Sequence, residues 1–236
     1  MTTVFPHKEP IKVGDLLLSS EEIISGLCNW ITEERKQRIE SVINNRTYTV
    51  VTVLDGLYDI GNVNAVIRTS ESLGFQCVHI VETCAKYKTA NRITQGAEKW
   101  LDILRWKSAE ECLNWLRERG YRICATAFEN AKPIDQVNFL IPTAIVLGNE
   151  HSGVSSIMTT HADERVIIPM YGFTKSFNIS VAGGIILYHA VMHRISHLGK
   201  NGDLTPDERK ILKALFYLKS VGSPEKILHR EITKTH

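Results

Sequence analysis

Short apolar runs alternate along this chain with longer amphipathic stretches, and this alternation limits the choice of fold most strongly. The run 48–54 is rich in β-branched residues and stops at Asp55-Gly56, which is typical of a buried strand. Because apolar strands separated by helices must be covered on both faces, the pattern predicts an α/β fold with a mostly parallel sheet and helices on both faces. The predicted strands are 48–54, 77–81, 101–104, 121–126, 143–147 and 165–168, and the predicted helices are 63–73, 109–119, 155–161 and 178–197.

Both ends of the chain are predicted to be helical extensions. Ser19-Ser20-Glu21-Glu22 is a helix-start pattern that opens an amphipathic stretch reaching Ile43. Thr205-Pro206-Asp207-Glu208 begins another helix, and a short final helix follows Pro224. The predicted domains are therefore an N-terminal helical extension at 1–46, an α/β domain at 47–198 and a C-terminal helical extension at 199–236.

The sequence offers no membrane anchor and no secretory signal. No apolar run approaches the roughly 20 residues that a bilayer span requires, and the first ten residues lack the apolar core of a signal peptide. Five cysteines, an odd number without a Cys-x-x-Cys pair, indicate buried thiols in a reducing compartment. We expect a cytoplasmic protein. The alternative, if a presequence has been removed, is a protein located in an organelle.

The charges are nearly balanced, with 28 Lys and Arg against 26 Asp and Glu, so a basic field of the whole protein cannot attract a nucleic acid. A local cluster does stand out, because Lys86, Lys88 and Arg92 surround Tyr87. Positive charge interleaved with an aromatic ring suits a phosphate backbone and an unstacked base. These three cations are the predicted RNA-binding residues, and a solvated loop is the alternative.

Common signatures of small-molecule catalysis are missing. The chain has no Gly-x-Gly-x-x-Gly, no P-loop, no His-Glu-x-x-His and no Gly-x-Ser-x-Gly. His189, His193 and His197 recur every four residues, a spacing that could hold a metal, but a polar stripe near a helix end is the favoured interpretation. Since no Cys or carboxylate joins them locally, we expect no metal.

Three polar or glycine-rich segments each follow an apolar strand, where ligands bind in a parallel α/β sheet. In the first, Asn62 is a candidate helix cap and Arg68 follows six residues later. In the second, Gly148 permits close backbone approach. In the third, the residues after Pro169 open a helix with free backbone donors. Each segment alone could be a plain turn or cap, but the ordered set is specific: 59–70, 145–154 and 166–182.

The ordered set resembles the three motifs of the SpoU (TrmH) family of RNA ribose 2′-O-methyltransferases, within the SPOUT superfamily. The likeness covers residues 48–192, and the flanking helices look like those of the branch that methylates a guanosine in the tRNA D-loop. Phe177 and Ile179 stand where the family has Leu and Val, and both keep an apolar wall. The matching residues are Asn62, Arg68 and Gly74, then Gly148-Asn149-Glu150, then Ile168-Pro169-Met170 and the run from Ser176 to Ala182.

The resemblance implies a fold, a cofactor and partners. It implies a C-terminal deep trefoil knot, S-adenosyl-L-methionine bound in that knot, a homodimer and an RNA substrate. Among RNAs, tRNA is the expected substrate. The implied cofactor-binding residues are Thr126, Leu147, Gly148, Ile168, Met170 and Phe177, and the implied catalytic residues are Asn62, Arg68, Glu150, Ser176 and Asn178.

The chemistry assigns Arg68 a particular role. A guanidinium does not readily lose its proton, so Arg68 is expected to stabilise the developing ribose alkoxide or to clamp a phosphate, with Glu150 accepting the proton or orienting Arg68. Three alternatives stay open: a methyltransferase acting on rRNA, a catalytically silent RNA-binding member of the fold, and a small-molecule α/β enzyme.

Overall fold

The computed structural model describes residues 4–57, 59–81, 96–149 and 151–235. These residues form two compact units. The first contains Thr47–Asn201 together with Val4, and the second contains Phe5–Arg46 together with residues 202–235. Four residues of predicted function lie outside the described residues: Lys86, Lys88, Arg92 and Glu150. The domain boundaries predicted from the sequence stay a prediction.

The described elements are named here in chain order. The strands are β1 (Ile11–Val13), β2 (Leu16–Leu18), β3 (Val50–Asp55), β4 (Cys77–Val81), β5 (Asp102–Trp106), β6 (Arg122–Thr126), β7 (Lys132–Pro133), β8 (Thr143–Gly148) and β9 (Glu164–Ile167). The helices are α1 (Ser20–Leu27), α2 (Glu33–Ile43), α3 (Ile60–Ser72), α4 (Ala109–Glu118), α5 (Ser156–Thr160), α6 (Ile179–Leu198), α7 (Pro206–Ser220) and α8 (Pro224–Thr235).

The first unit is an α/β fold, as the alternation of apolar runs predicts. Its described strands form one seven-stranded sheet in the order β5-β4-β3-β8-β6-β9-β7, flanked by helices. Every strand pairing in this sheet is parallel. β3 and β8 are the central neighbours, and each is buried along its whole length. Burial on both faces explains why these strands are continuous apolar runs in the sequence.

The register of the central strands aligns their carboxyl ends. Asp55, the last residue of β3, pairs with Gly148, the last residue of β8. The apolar core beneath them is built from β3, β8, α3 and α6, with Val66, Leu147 and Leu187 all buried. The rigid centre of the sheet therefore presents its carboxyl edge as a platform for the loops that follow.

Helix α3 begins three residues earlier than the sequence interpretation places it. Its cap is Asp59, whose Oδ1 accepts from Gly61 N at 2.6 Å and from Asn62 N at 3.4 Å. The assignment of Asn62 as the cap is therefore wrong, because the upstream carboxylate already satisfies the free N–H groups of the first turn. The side-chain oxygen of Asn62 instead accepts from Asn178 Nδ2.

The second unit contains the hairpin of β1 and β2 and helices α1, α2, α7 and α8. The predicted helix starts are confirmed, because both Ser19 and Thr205 form capping boxes with the glutamate three residues on. The predicted amphipathic stretch to Ile43 is interrupted by a 3₁₀ turn, Cys28–Trp30, and restarts at the cap Thr32. Sequence reasoning did not predict the hairpin.

Buried polar and sulfur groups are ordinary core components. Cys77, Cys112 and Cys124 are buried free thiols, as interpreted from the sequence, and burial raises the pKa of Cys124 to about 12. His79 is also fully buried, accepts from Trp106 Nε1 at 3.0 Å, and has its pKa lowered by burial to about 3. In the described part of the chain, no helix is both long and apolar enough to cross a bilayer.

Candidate active site

A cleft of about 510 Å³ opens at the carboxyl edge of the sheet in the first unit. Its walls are the ends of β6, β8 and β9, the loop after β8, and the start of α6. This is where ligands bind in parallel α/β sheets. The described lining consists of Thr126, Ala127, Phe128, Gly148, Asn149, His151, Ser152, Gly153, Val154, Thr159, Val166, Ile167, Ile168, Met170, Ser176, Phe177, Asn178, Ile179, Ala182 and Ile186.

The structure brings seven of the eleven predicted catalytic and cofactor-binding residues together in this cleft. Two predicted catalytic residues, Ser176 and Asn178, line it. Leu147 is different, because its side chain is fully buried in the core and does not belong to the lining. The predicted cofactor-binding residues in the lining are Thr126, Gly148, Ile168, Met170 and Phe177.

Gly148 holds the floor of the cleft because no side chain fits there. A Cβ at this position would lie 2.1 Å from the backbone nitrogen of Val154 and 2.2 Å from the carbonyl carbon of Gly153. The loop is closed by two backbone hydrogen bonds between Asn149 and Gly153, both of 2.9 Å. The backbone of β8 therefore runs directly against the returning loop, which only glycine permits.

Asn149 fixes the shape of this loop, and sequence reasoning missed it. Its Nδ2 donates to the carbonyl of Gly56 at 3.0 Å, while its Oδ1 accepts from the backbone N–H groups of His151 at 2.7 Å and Ser152 at 3.2 Å. An Asn whose oxygen bonds the backbone two residues on is a standard turn former, and that local pattern could have been recognised. Asn149 thus ties the loop after β8 to Gly56, which directly follows β3.

Asp55 is a second brace that sequence reasoning missed. It is 2% exposed, and its Oδ2 accepts from Ser155 N at 2.7 Å, just before α5 begins. The cleft loop is therefore held at both ends by residues attached to the two central strands.

Asn178 joins the first and third motifs. Its Oδ1 accepts from Ser180 N at 2.9 Å and Val181 N at 3.4 Å, so it caps α6 and its amide orientation is fixed. The opposite end, Nδ2, donates to Asn62 Oδ1 at 3.2 Å. Residues 116 positions apart in the sequence thereby meet at the rim of the cleft.

Arg68 lies apart from the cleft of its own chain. It is exposed on α3 and does not belong to the lining. Asn62 is connected to the cleft through its hydrogen bond with Asn178, and Glu150 lies outside the described residues. Within one chain, the described structure thus assembles Ser176, Asn178 and Asn62, but not Arg68.

The described lining contains no Lys, Arg, Asp or Glu. A cofactor carrying several phosphates requires cations or a run of backbone donors such as a P-loop, and the sequence has no P-loop. Apolar walls with a few backbone and amide groups are instead suited to a nucleoside held by its base and ribose. The electrostatics favour a ligand without phosphate groups.

Two groups of side chains that contain histidine do not belong to the described lining of this cleft. His193 and His197 stack at 4.4 Å between ring centroids, and His197 Nδ1 lies 2.7 Å from the carbonyl of His193. In the second unit, the exposed side chains of Asp15, Glu225 and His229 offer ligand atoms within 4.8 Å of one another, with His229 Nε2 at 2.7 Å from Asp15 Oδ1. The absence of a metal stays a prediction.

Comparisons with known proteins agree with the motifs. The model of the SpoU rRNA Methylase family matches residues 49–188. A tRNA (guanosine(18)-2′-O)-methyltransferase of Borreliella burgdorferi is 40% identical over 171 residues, which are 72% of this chain and 78% of that protein. The enzyme of the same name from Aquifex aeolicus is 32% identical over 191 residues, covering 79% and 90% of the two chains.

Solved structures give the same picture. The A. aeolicus TrmH/SpoU tRNA modifying enzyme superposes with a TM-score of 0.72 at 31% identity, covering 80% of this chain and 98% of that one. The SpoU methyltransferase AviRb from Streptomyces viridochromogenes, in complex with AdoMet, gives a TM-score of 0.59 at 28% identity, covering 66% and 64%.

Proposed function

Since the chain belongs to the SpoU rRNA Methylase family, we propose that it transfers a methyl group from S-adenosyl-L-methionine to a ribose 2′-oxygen of RNA, specifically guanosine 18 of tRNA. The observation that carries the proposal is the hydrogen bond between Asn178 and Asn62, which unites two motifs at the rim of a cleft whose described lining has no Lys, Arg, Asp or Glu. The relatives named for guanosine 18 support the choice of substrate.

The residues of the cleft fit S-adenosyl-L-methionine. Gly148 contributes backbone to the lining of the cleft, and Ile168 and Phe177 supply apolar walls for an adenine ring. Thr126, at the end of β6, also lines the cleft, and its hydroxyl donates to the carbonyl of Val146 at 3.0 Å. When bound, the cofactor supplies an electrophilic methyl group.

The chain's own polar groups prepare the ribose for reaction. A neutral hydroxyl is a poor nucleophile, so its oxygen must lose a proton as the new bond forms. Arg68 stabilises the developing alkoxide because a guanidinium stays protonated and offers a rigid fork of donors. Glu150 accepts the proton or orients Arg68, and Asn62, Ser176 and Asn178 hold the ribose in line.

The active site is shared between two subunits of a homodimer. Arg68 lies outside the cleft of its own chain, which supports a role in the cleft of the partner. Helix α6 supplies a dimer surface, because Tyr188, Met192 and Ile195 are 58%, 44% and 40% exposed in the single chain. Their spacing of four and three residues places them on one helix face, a common arrangement for helix packing.

The finer points of the fold follow the family. The segment from β9 through α6 forms the trefoil knot, so that the third motif becomes part of the cofactor site. The chain keeps the predicted division into a methyltransferase domain at 47–198 and helical extensions at 1–46 and 199–236. Lys86, Lys88 and Arg92 contact RNA phosphates, and the reaction takes place in the cytoplasm or an organelle.

A methylation assay tests the proposal. Purified protein is incubated with labelled S-adenosyl-L-methionine and a tRNA transcript, and 2′-O-methyl groups are mapped by mass spectrometry. We expect one modification at guanosine 18, none in a transcript with 2′-deoxyguanosine there, and none with Arg68→Ala. Methyl transfer to rRNA fragments but not to tRNA would overturn the assignment of tRNA as the substrate. The absence of transfer to any RNA would overturn the proposed activity.

Mixing two inactive variants tests the shared site. Arg68→Ala and Asn178→Ala remove residues that the proposal assigns to different subunits of one site. Because a mixed dimer contains one intact site, combining them after subunit exchange is expected to restore part of the activity. Failure to restore activity, with exchange demonstrated by light scattering of tagged subunits, would assign the whole site to one chain.

A further inference from the structure

A second cleft, of about 520 Å³, lies wholly within the helical unit. It opens between the 3₁₀ turn that ends at Trp30, the end of α7 and the first turns of α8. Nothing in the proposed methyl transfer uses it. Its described lining is Trp30, Ser220, Val221, Gly222, Ser223, Lys226, Ile227 and Arg230.

An aromatic face and a guanidinium meet in this cleft. Trp30 is 46% exposed, which is unusual for the largest apolar side chain in a small helical unit. The guanidinium carbon of Arg230 lies 5.0 Å from the centroid of the Trp30 ring. Stacked aromatic and guanidinium groups are the surfaces on which unpaired nucleic-acid bases pack.

The cleft carries two cations and no acid among its described lining. Lys226 and Arg230 are one helical turn apart on α8, so they share a face. Arg230 also approaches Glu231, its neighbour in the chain, at 3.6 Å, but Glu231 does not line the cleft. The local charge is therefore positive and suits a phosphate.

A nearby groove in the same unit makes the contrast clear. Two of the three cations in its described lining are paired with carboxylates, because Lys210 Nζ lies 2.9 Å from Glu21 Oε2 and Lys213 Nζ lies 3.1 Å from Glu40 Oε2. That groove presents mixed charge with no exposed aromatic ring in its lining. Basic residues alone do not distinguish the two places. The difference is an exposed indole beside Lys226, which makes no ion pair with the described residues.

We propose that the Trp30 cleft binds one unpaired nucleotide of the RNA substrate, at a distance along the RNA from the methylated ribose. The base stacks on Trp30, and the phosphate contacts Lys226 and Arg230. The inference rests on the proposed function, since it takes RNA as the substrate. An aromatic floor with a basic rim favours a nucleotide over an aliphatic protein segment.

RNA affinity of the full chain tests the cleft. With a tRNA transcript, Trp30→Ala is expected to weaken binding roughly 5- to 100-fold, the usual cost of losing one base stack, whereas Trp30→Phe keeps most of the affinity. Lys226→Ala, at an exposed position that the fold does not need, is expected to lower the slope of log affinity against log salt by about 0.7.

The matched control is Lys210→Ala, which removes the same charge from the same unit at a cation already paired with Glu21. It is expected to change the salt slope less than Lys226→Ala does. Adenosine monophosphate serves as the probe for a free nucleotide, and it is expected to bind at least 100-fold more weakly than the tRNA transcript. Unfolding curves establish whether each variant is folded. If Trp30→Ala does not fold, the salt slope of Lys226→Ala decides whether the cleft binds RNA.

The outcomes separate the cleft from the proposed function. Wild-type methylation with unchanged RNA affinity in Trp30→Ala and Lys226→Ala overturns the cleft alone. Tight binding of adenosine monophosphate that is abolished by Trp30→Ala overturns RNA as the occupant. A protein that binds at the Trp30 cleft and is not displaced by RNA does the same. A wild-type chain that binds S-adenosyl-L-methionine but neither binds nor methylates RNA overturns the proposed function itself.

Discussion

Replacing Gly148 with alanine tests whether the cleft floor depends on backbone contact. The added Cβ would lie 2.1 Å from Val154 N, about 1.3 Å closer than the 3.4 Å at which ordinary contact begins. Both obstructing groups are backbone, so relief requires the loop itself to move. The two hydrogen bonds between Asn149 and Gly153 close that loop and must lengthen or break.

The magnitude follows from these contacts. Overpacking a tight site costs about 1–3 kcal/mol, and each lost hydrogen bond costs about 0.5–1.5 kcal/mol net. We therefore expect Gly148→Ala to lower the free energy of unfolding by about 2–6 kcal/mol. Because the displaced loop also lines the cleft, the affinity for S-adenosyl-L-methionine should fall at least about tenfold, which corresponds to about 1.4 kcal/mol.

Urea unfolding followed by tryptophan fluorescence measures the stability, and isothermal titration calorimetry measures the cofactor affinity. The control is Gly222→Ala, since a Cβ there meets no heavy atom within 4 Å and its φ needs no glycine. It should change the stability by no more than about 0.5 kcal/mol and leave cofactor affinity unchanged. Wild-type stability and affinity in Gly148→Ala would refute the argument from backbone contact.

Three further predictions concern other parts of the first unit. Asn178→Asp keeps the helix cap but cannot donate to Asn62, so methylation should fall at least tenfold while the melting temperature is maintained; equal activity would refute a role for this bond. Burial lowers the pKa of His79 to about 3, so its contribution to stability is complete above about pH 6.5 and is lost as the pH falls toward 3, by up to about 1.4 kcal/mol per unit. Urea unfolding between pH 7 and 5 should show this slope in the wild type and not in His79→Gln. Tyr188→Glu adds a charge to the exposed face of α6 and should give monomers by light scattering; a stable dimer would exclude this face.

The sheet could be predicted from the sequence because its central strands are buried on both faces. β4 is found at the predicted bounds, and β8 differs by a single residue. Shorter elements carry too little pattern, which is why β1, β2 and the two-residue β7 were missed. Three residues cannot distinguish a half-buried strand from an apolar loop.

The cleft could be predicted only in part, for a physical reason. Ser176 and Asn178 are near in sequence and near in space, so their motif identifies them. Asp55 and Asn149 act through contacts with distant segments, and those contacts depend on the register of β3 against β8. The placement of Arg68 outside its own cleft likewise depends on three-dimensional packing that no spacing of residues encodes.

The position of β8 also has a consequence for synthesis of the chain. β8 pairs with β3 on one side and β6 on the other, although both precede it in the sequence. Until residue 148 has left the ribosome, each of these apolar strands has an edge without its final partner. Open apolar edges recruit other strands, so a chain released before β8 is complete is an aggregation hazard. The central strand is thus the last piece to reach the middle of the sheet, and its arrival gives β3 its second partner.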